Sequence, residues 1–522
     1  MKKITILLAS AGLLLGLPSC DEWLTATSST QISDTQLFSS RNGFQEALSG
    51  IYLCMAQPEC YGRDYTWFVS DLTAFPYAAQ HSNNYISLQN HNYTNAVSFP
   101  VFTSMWQSGY HAIANINKML QELDARRDVV SDETEYRLFR GELLGLRAWI
   151  HFDILRMWGR ENWDGENAGK MTVPYVRTYE KEPTVQNSYA ETARMLMADV
   201  NEAISMLSAD PIRGNVSESF LTTVNTNGFW DNRTRHLNYY AAKGLKARVL
   251  LWEGEHREAA ELAQEIIDEV LEKEVVRWID PIAQLSNPDN DQRDWTFSTE
   301  HLFTLEVPDL YSTVQPYFFT DISYSGIRID PAVVSALFES PVGMIPAEKE
   351  GDPGQAITLI SDIRGPAMQL RFSGAGYIPY KYYASSTSVY RNRLPMFRLS
   401  ELYLTIAEDA FARDDLTTFL DAINEIHSHR GDDEAITPEN IIRTGSVNPH
   451  GTTRWEADMD QLLLREYVIE MLGEGQILPF VKRFLRYAKS AFLVQGGIQF
   501  PAPAQLLFPY PTAETSYGHI QE

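Results

Sequence analysis

The chain is 522 residues long, about three times the usual length of one domain, and is 44% apolar and 21% charged. Such a composition supports a large core and excludes a disordered chain. Its 43 Lys and Arg face 68 Asp and Glu, a net charge of −25, which excludes a phosphate-polymer binder and a polybasic membrane anchor. Three cysteines exclude a disulfide scaffold. Aromatics make up 12% of the chain, with 26 Tyr, 24 Phe and 11 Trp, and must be divided between core and binding surface.

Residues 1–19 read as a signal peptide: Lys2 and Lys3 form a basic start, and Ile4 to Leu17 is an apolar run too short to span a bilayer comfortably. Leu17-Pro18-Ser19-Cys20 resembles a lipobox, so Cys20 is the expected lipidation site, with Asp21 and Glu22 following at once. Acyl chains on that thiol would supply stable anchoring. Cleavage removes two lysines and no acid, leaving 41 basic against 68 acidic side chains, a mature charge of −27. Cys54 and Cys60 remain. They can pair across a tight loop in an oxidising compartment or stay as two thiols, and the sequence does not decide between these.

Helical periodicity dominates the mature chain. Phe139, Leu143, Leu146, Ile150, Ile154 and Met157 recur at spacings of three and four, one stripe of a long helix that Gly159 stops. Ser188 to Leu207 reads as a second amphipathic helix, opened by a capping box of Ser188 and Glu191. Tyr239 to Val270 looks like a tetratricopeptide repeat, in which Gly254 ends one helix and Ala259 lets the next pack closely. Leu399 to Gly431 has a similar pattern, with Arg413-Asp414-Asp415 in place of the glycine turn. Such pairs must stack to bury their faces. Between them, Tyr61 to Pro100 and Ile279 to Tyr390 show little period. Loops this long inside a compact chain carry function or are disordered, and their aromatic content argues against disorder.

Four segments, in order along the chain, resemble the SusD/RagB family of surface nutrient-binding lipoproteins. They are the Cys20 lipobox; Trp106 to Asn117 with Arg147 to Arg156 and Val173-Pro174-Tyr175; Asp362-Ile363-Arg364 with Tyr380-Lys381-Tyr382 and Arg398 to Glu408; and Arg465-Glu466, Glu470 and Glu474-Gly475 with Phe500 to Pro503. The chain departs from the family pattern at Ile477 and Phe480, where Arg and Asp are usual, and at His427 and His429, where Arg is usual. The resemblance implies a mostly α fold of tetratricopeptide-like helix pairs with long loop insertions. It implies one domain over residues 20–522, with a helical scaffold at roughly 40–275 and 395–490 and a loop-rich insertion at roughly 279–390. It also implies lipid anchoring at the outer membrane, facing the cell surface. The implied partner is a SusC-like TonB-dependent β-barrel over which the protein acts as a lid, with an oligosaccharide ligand in most members and a peptide in some.

Sugars offer C–H faces that stack on rings and hydroxyls that need polar partners, and amphipathic aromatics meet both needs at low entropy cost. Two loops hold that mixture. The first offers Tyr77, His81, Asn84, Tyr85 and Tyr93; the second offers Trp295, Tyr311, Tyr317 and Tyr324. These nine are the candidate ligand-binding residues. Trp106, Trp149, Trp158 and Trp252 lie on helix faces and are expected in the core.

Two other function classes remain in view. A helical glycoside hydrolase would use a carboxylate pair, yet with 68 acids proximity in sequence proves nothing. A scaffold subunit without its own ligand would share the fold and lack the binding loops. No GxSxG, HExxH, CxxC or phosphate-binding glycine pattern occurs. No catalytic residue, metal ligand or cofactor is expected, and a structural calcium ion is left open.

Overall fold

The computed structural model describes residues 34–78, 83–319, 326–338, 362–374, 376–385, 387–431, 435–438, 459–486, 492–493 and 498–517. Cys20, His81 and Tyr324 lie outside the described residues, as does the side chain of Asn84.

Thirteen helices carry the argument: α1 (Arg41–Met55), α2 (Val69–Ala74), α3 (Asn83–Gln89), α4 (Phe99–Ala125), α5 (Glu133–Trp158), α6 (Tyr189–Met206), α7 (Tyr239–Glu253), α8 (His256–Glu272), α9 (Leu310–Phe318), α10 (Leu399–Ala412), α11 (Leu416–Ser428), α12 (Met459–Met471) and α13 (Ile477–Phe484). Consecutive long helices pack in pairs: α4 on α5, α5 on α6, α7 on α8, and α10 on both α8 and α11. This is the mostly α, stacked helix-pair architecture that the periodicity implies. No described helix is long and apolar enough to cross a membrane.

The helix boundaries follow local chemistry. Asp132 accepts from the backbone N–H of Glu135 to open α5, and Gly159 closes it. At α6, Ser188 and Glu191 form the complete capping box. Gly254 ends α7 at φ +88, the left-handed conformation a glycine adopts without penalty. Asp414 takes the same conformation at φ +55 in the α10–α11 turn, and Asp415 caps α11 by accepting from Thr418. An aspartate tolerates that backbone better than most residues, so the turn survives without glycine.

The stretch from Ile279 to Tyr390 is less irregular than its sequence reads. It holds β2 (His301–Glu306), β3 (Arg328–Ile329), β4 (Leu370–Phe372), β5 (Tyr377–Pro379) and α9. Strand β1 (Tyr77–Ala78) joins the sheet order β1-β3-β5-β4, while β2 pairs antiparallel with β6 (Arg393–Arg398). Strands of two or three residues are too short to display a period of two. The stretch from Tyr61 to Pro100 likewise contains α2 and α3.

One hydrophobic core runs through the helices, with Trp106, Trp149, Trp158 and Trp252 buried in it. Two buried polar clusters are set among the apolar side chains. In the first, Asp199 accepts from Arg147 at 2.7 and 2.9 Å and from the Tyr175 hydroxyl at 2.8 Å. Arg147 also donates to Asn117, and His151 stacks on Tyr175 at 4.0 Å. In the second, Glu470 accepts from Arg364, Arg398 and Arg430, while Arg430 also pairs with Glu300 and Arg398 with Glu474. Cys54 and Cys60 are both free thiols, and burial pushes the Cys60 thiol up.

Candidate ligand-binding site

The site is built on the segment between α1 and α2. Tyr61 donates to Asp153 at 2.6 Å, Tyr65 to the Met105 carbonyl at 3.0 Å, and Trp67 to the Gly62 carbonyl at 3.0 Å. These buried anchors fix the segment against α4 and α5 and leave Arg63 half-buried at its surface, with Phe68 buried beside it. The Arg63 guanidinium is bidentate to Asp64, with donors at 2.7 and 2.9 Å. Burial pushes Asp64 up to about 6, against the downward pull of Arg63.

Helix α9 supplies the facing wall. Leu310, Val314 and Phe318 are buried at spacings of four and point one face into the core. Successive residues turn by 100°, so Tyr311 and Tyr317 flank that buried stripe on opposite sides. The entry to β3 secures the helix end: Ile327, just before the strand, donates to the Tyr317 carbonyl at 2.9 Å, and Arg328 to that of Phe318 at 3.0 Å.

Tyr317 and Tyr85 meet here. Their centroids are 5.7 Å apart; the Phe68 ring lies 4.6 Å from Tyr317 and 5.3 Å from Tyr85. Arg63 donates to the Tyr317 hydroxyl at 3.1 Å, and its charge sits over the Phe68 and Tyr317 rings. Burial pushes both tyrosine hydroxyls up, so they stay neutral and able to donate. Both rings are only half-buried. The result is a partly exposed aromatic platform with a guanidinium at its edge, able to stack on an apolar face while hydrogen bonding around it.

The other sequence candidates divide. Tyr77 is 3% exposed, paired through β1 with β3 and packed on Phe75 and Phe318. Tyr93 is 8% exposed and donates to the Gln505 carbonyl at 2.6 Å, between Phe102 and Phe508. Trp295 is 3% exposed and donates to the Asn290 carbonyl. These three rings are corrected from ligand contacts to loop anchors, because burial leaves no face for a ligand. Tyr311 stays half-exposed on the far flank of α9, stacked on Phe319 at 5.6 Å. Arg63 and Phe68 do not stand out in the sequence. Their signal is weak, a basic residue and a ring among buried neighbours in a loop whose path no local pattern gives.

Among the described residues no group of three His, Cys, Asp or Glu could hold a metal ion. His427 lies 2.9 Å from Glu466, and His429 stacks on Trp278 at 4.6 Å. Phe480 stacks on Tyr467 at 3.7 Å, so where the family usually has an acid this chain has ring packing.

Two family models match the chain. One, described as starch-binding and associating with the outer membrane, matches residues 23–220; the other, the SusD family, matches residues 353–515. The chain belongs to the SusD/RagB family. Solved structures share the fold of this SusD-family chain at low identity. A SusD superfamily protein of Bacteroides thetaiotaomicron is 18% identical, with a TM-score of 0.64 over 92% of this chain and 98% of that one. A SusD superfamily protein of Bacteroides vulgatus is 16% identical, with a TM-score of 0.65 over 92% and 98%. A SusD-like carbohydrate binding protein of the same species is 14% identical, with a TM-score of 0.61 over 91% and 96%. No curated protein matches the chain.

Proposed function

We propose that this SusD-family chain is a non-catalytic, lipid-anchored outer-membrane protein that captures an oligosaccharide and delivers it to a TonB-dependent β-barrel. The Tyr85–Tyr317 platform with Arg63 at its edge carries the proposal, since it offers ring faces and hydrogen-bond donors at one exposed place. Family membership and a solved relative described as carbohydrate binding favour a sugar over a peptide. Cys20 would hold the N-terminus at the membrane, and the helical scaffold would keep the platform rigid. The protein would then act as a lid on the barrel.

The test uses the chain from residue 21 onward on a panel of glycans and peptides. Tyr85→Ala with Tyr317→Ala removes two contact rings that are only half-buried, so helical content should be unchanged. Affinity for the preferred glycan should fall about 30-fold, as for the loss of an interface residue contributing about 2 kcal/mol. Unchanged affinity would overturn the site, binding of peptides alone would overturn the ligand class, and release of reducing ends would overturn the non-catalytic assignment.

A further inference from the structure

The far flank of α9 opens on a second aromatic cluster. Tyr380 and Tyr383 stack at 4.8 Å and 19°, Phe319 stands edge-on to both, and Tyr311 meets Tyr383 at 5.6 Å and 82°. All four are half-buried, and Tyr380 and Tyr383 rest on the buried Trp295. Tyr311 and Tyr317 lie on the two flanks of α9, six residues or about 9 Å of axial rise apart.

Its charges differ from those of the chain. Arg371 is exposed over the Tyr380 ring at 5.4 Å, and Arg293 lies over Trp295 at 5.9 Å. Burial and then the charge of Arg371 pull the Arg293 guanidinium down, so the two cations sit close enough to repel. Arg391 and Arg393 line the small cavity between Tyr311, Tyr383 and Tyr390. Among the described residues no carboxylate forms an ion pair with Arg293, Arg371 or Arg393. Asp291 accepts from Thr387, and Asp294 accepts from Ser298 and, like Glu306, lies in the field of Arg393 rather than of Arg293 or Arg371. Two arginines without a carboxylate partner, Arg371 exposed and Arg293 held by the Asn287 carbonyl, in a chain of net charge −25, make an arrangement suited to planar carboxylates and tetrahedral sulfates.

We propose that the Tyr311–Tyr380–Tyr383 cluster is a second carbohydrate subsite, taking a sugar unit that bears a carboxylate or sulfate, with Arg371 and Arg293 as its anion-holding groups. The assignment rests on the carbohydrate-binding function proposed for the Tyr85–Tyr317 platform. A ligand spanning α9 would then stack on Tyr85 and Tyr317 at one end and present its acidic unit at the other.

Two matched pairs test it by calorimetric titration of the chain from residue 21 onward. The first is an oligogalacturonide and its methyl ester; the second is a sulfated carrageenan fragment and its desulfated form, which carries no carboxylate. The charged member of one pair should bind at least about tenfold tighter than its neutral partner, about 1.4 kcal/mol, and which pair shows it separates carboxylate from sulfate. Arg293→Gln with Arg371→Gln should abolish that difference and leave the neutral affinity unchanged, with circular dichroism confirming the fold. Equal affinities in both pairs, or a difference that survives the double variant, would overturn the subsite. Neutral binding that Tyr85→Ala with Tyr317→Ala removes, without any charge preference, would overturn the subsite and keep the function. Failure to bind any glycan would overturn both.

Discussion

Replacing Glu470 with glutamine should cost about 3–5 kcal/mol of folding stability, the loss typical of removing one partner from a buried ion pair. Its carboxylate accepts from Arg430 at 2.7 and 3.1 Å, from Arg364 at 3.1 Å, and from Arg398. Burial alone would push Glu470 up, yet the three guanidiniums hold it well below the usual carboxylate range. Glutamine keeps the shape and removes the charge, and its amide nitrogen turns donors toward guanidinium donors. Each arginine keeps another acid, namely Glu300 for Arg430, Glu474 for Arg398, and Asp362 with Glu466 for Arg364. The network therefore weakens without leaving any arginine wholly unpaired. Denaturant unfolding at pH 7 measures the change. Glu261→Gln, which breaks an exposed pair with Arg257, is the control and should be nearly silent. A loss under about 1 kcal/mol for Glu470→Gln would mean that the surrounding acids absorb the change, and would refute the hub assignment.

That network also explains what was legible in the sequence. The segments that resemble the family supply Asp362, Arg364, Lys381, Arg398, Glu466, Glu470 and Glu474, and the fold gathers them into one buried cluster. The other recognisable segments supply Asn117, Arg147, His151 and Tyr175, which meet around Asp199. The family-like residues are thus those that hold the scaffold together, and they specify the fold without specifying the ligand. The helices were readable because a buried stripe repeats every three or four residues over many turns. The short strands were not, since two residues carry no period. Even the glycine turn missing between α10 and α11 did no harm, because Asp414 adopts the same backbone.

The site was legible only as composition. Loops rich in Tyr and Asn supplied both Tyr85 and Tyr317 of the proposed platform. Which rings would be anchors could not be read, because Tyr77, Tyr93 and Trp295 differ from Tyr85 only in what folds over them. The Arg63–Tyr317 contact joins positions 254 residues apart in sequence, and no local pattern announces such a contact. Tyr380 stood inside a family-like segment, and its role as a ring became visible only when Tyr383, Phe319 and Trp295 closed around it.

Stability should hold level between about pH 4.5 and 6.5 and then collapse in acid. Burial would raise Glu466, Glu470 and Glu474, but Arg364, Arg398, Arg430, Lys381 and His427 outweigh it and hold all three below the ordinary 4.5. A depressed acid contributes stability that is present above its unfolded pKa and lost as pH falls through the folded one. Below about pH 4.5 the unfolded chain binds three protons that the native chain refuses. At 1.36 kcal/mol per proton and pH unit, this gives a slope of about 4 kcal/mol per unit. His151 and His301 act in the same sense: burial lowers both from 6.5 to about 3, so their contribution is present above 6.5 and lost as pH falls through 3. Asp71 acts oppositely. It accepts from the backbone N–H groups of Gly473 and, at 3.1 Å, of Gly475, and burial still pushes it up to about 7. A raised acid contributes stability that is present below the unfolded 3.8 and lost as pH rises through 7, and Asp64, pushed up to about 6, does likewise. Two aspartates against two histidines produce the plateau, and the glutamates produce the edge. Thermal unfolding from pH 3 to 8 tests the scheme. Glu474→Gln should lower stability at pH 7 while making the acid slope shallower by about one proton's worth, 1.36 kcal/mol per unit. An unchanged slope would mean that Glu474 already carries a proton in the native chain, which the bidentate contact from Arg398 at 3.0 Å and the 2.7 Å contact from Lys381 argue against.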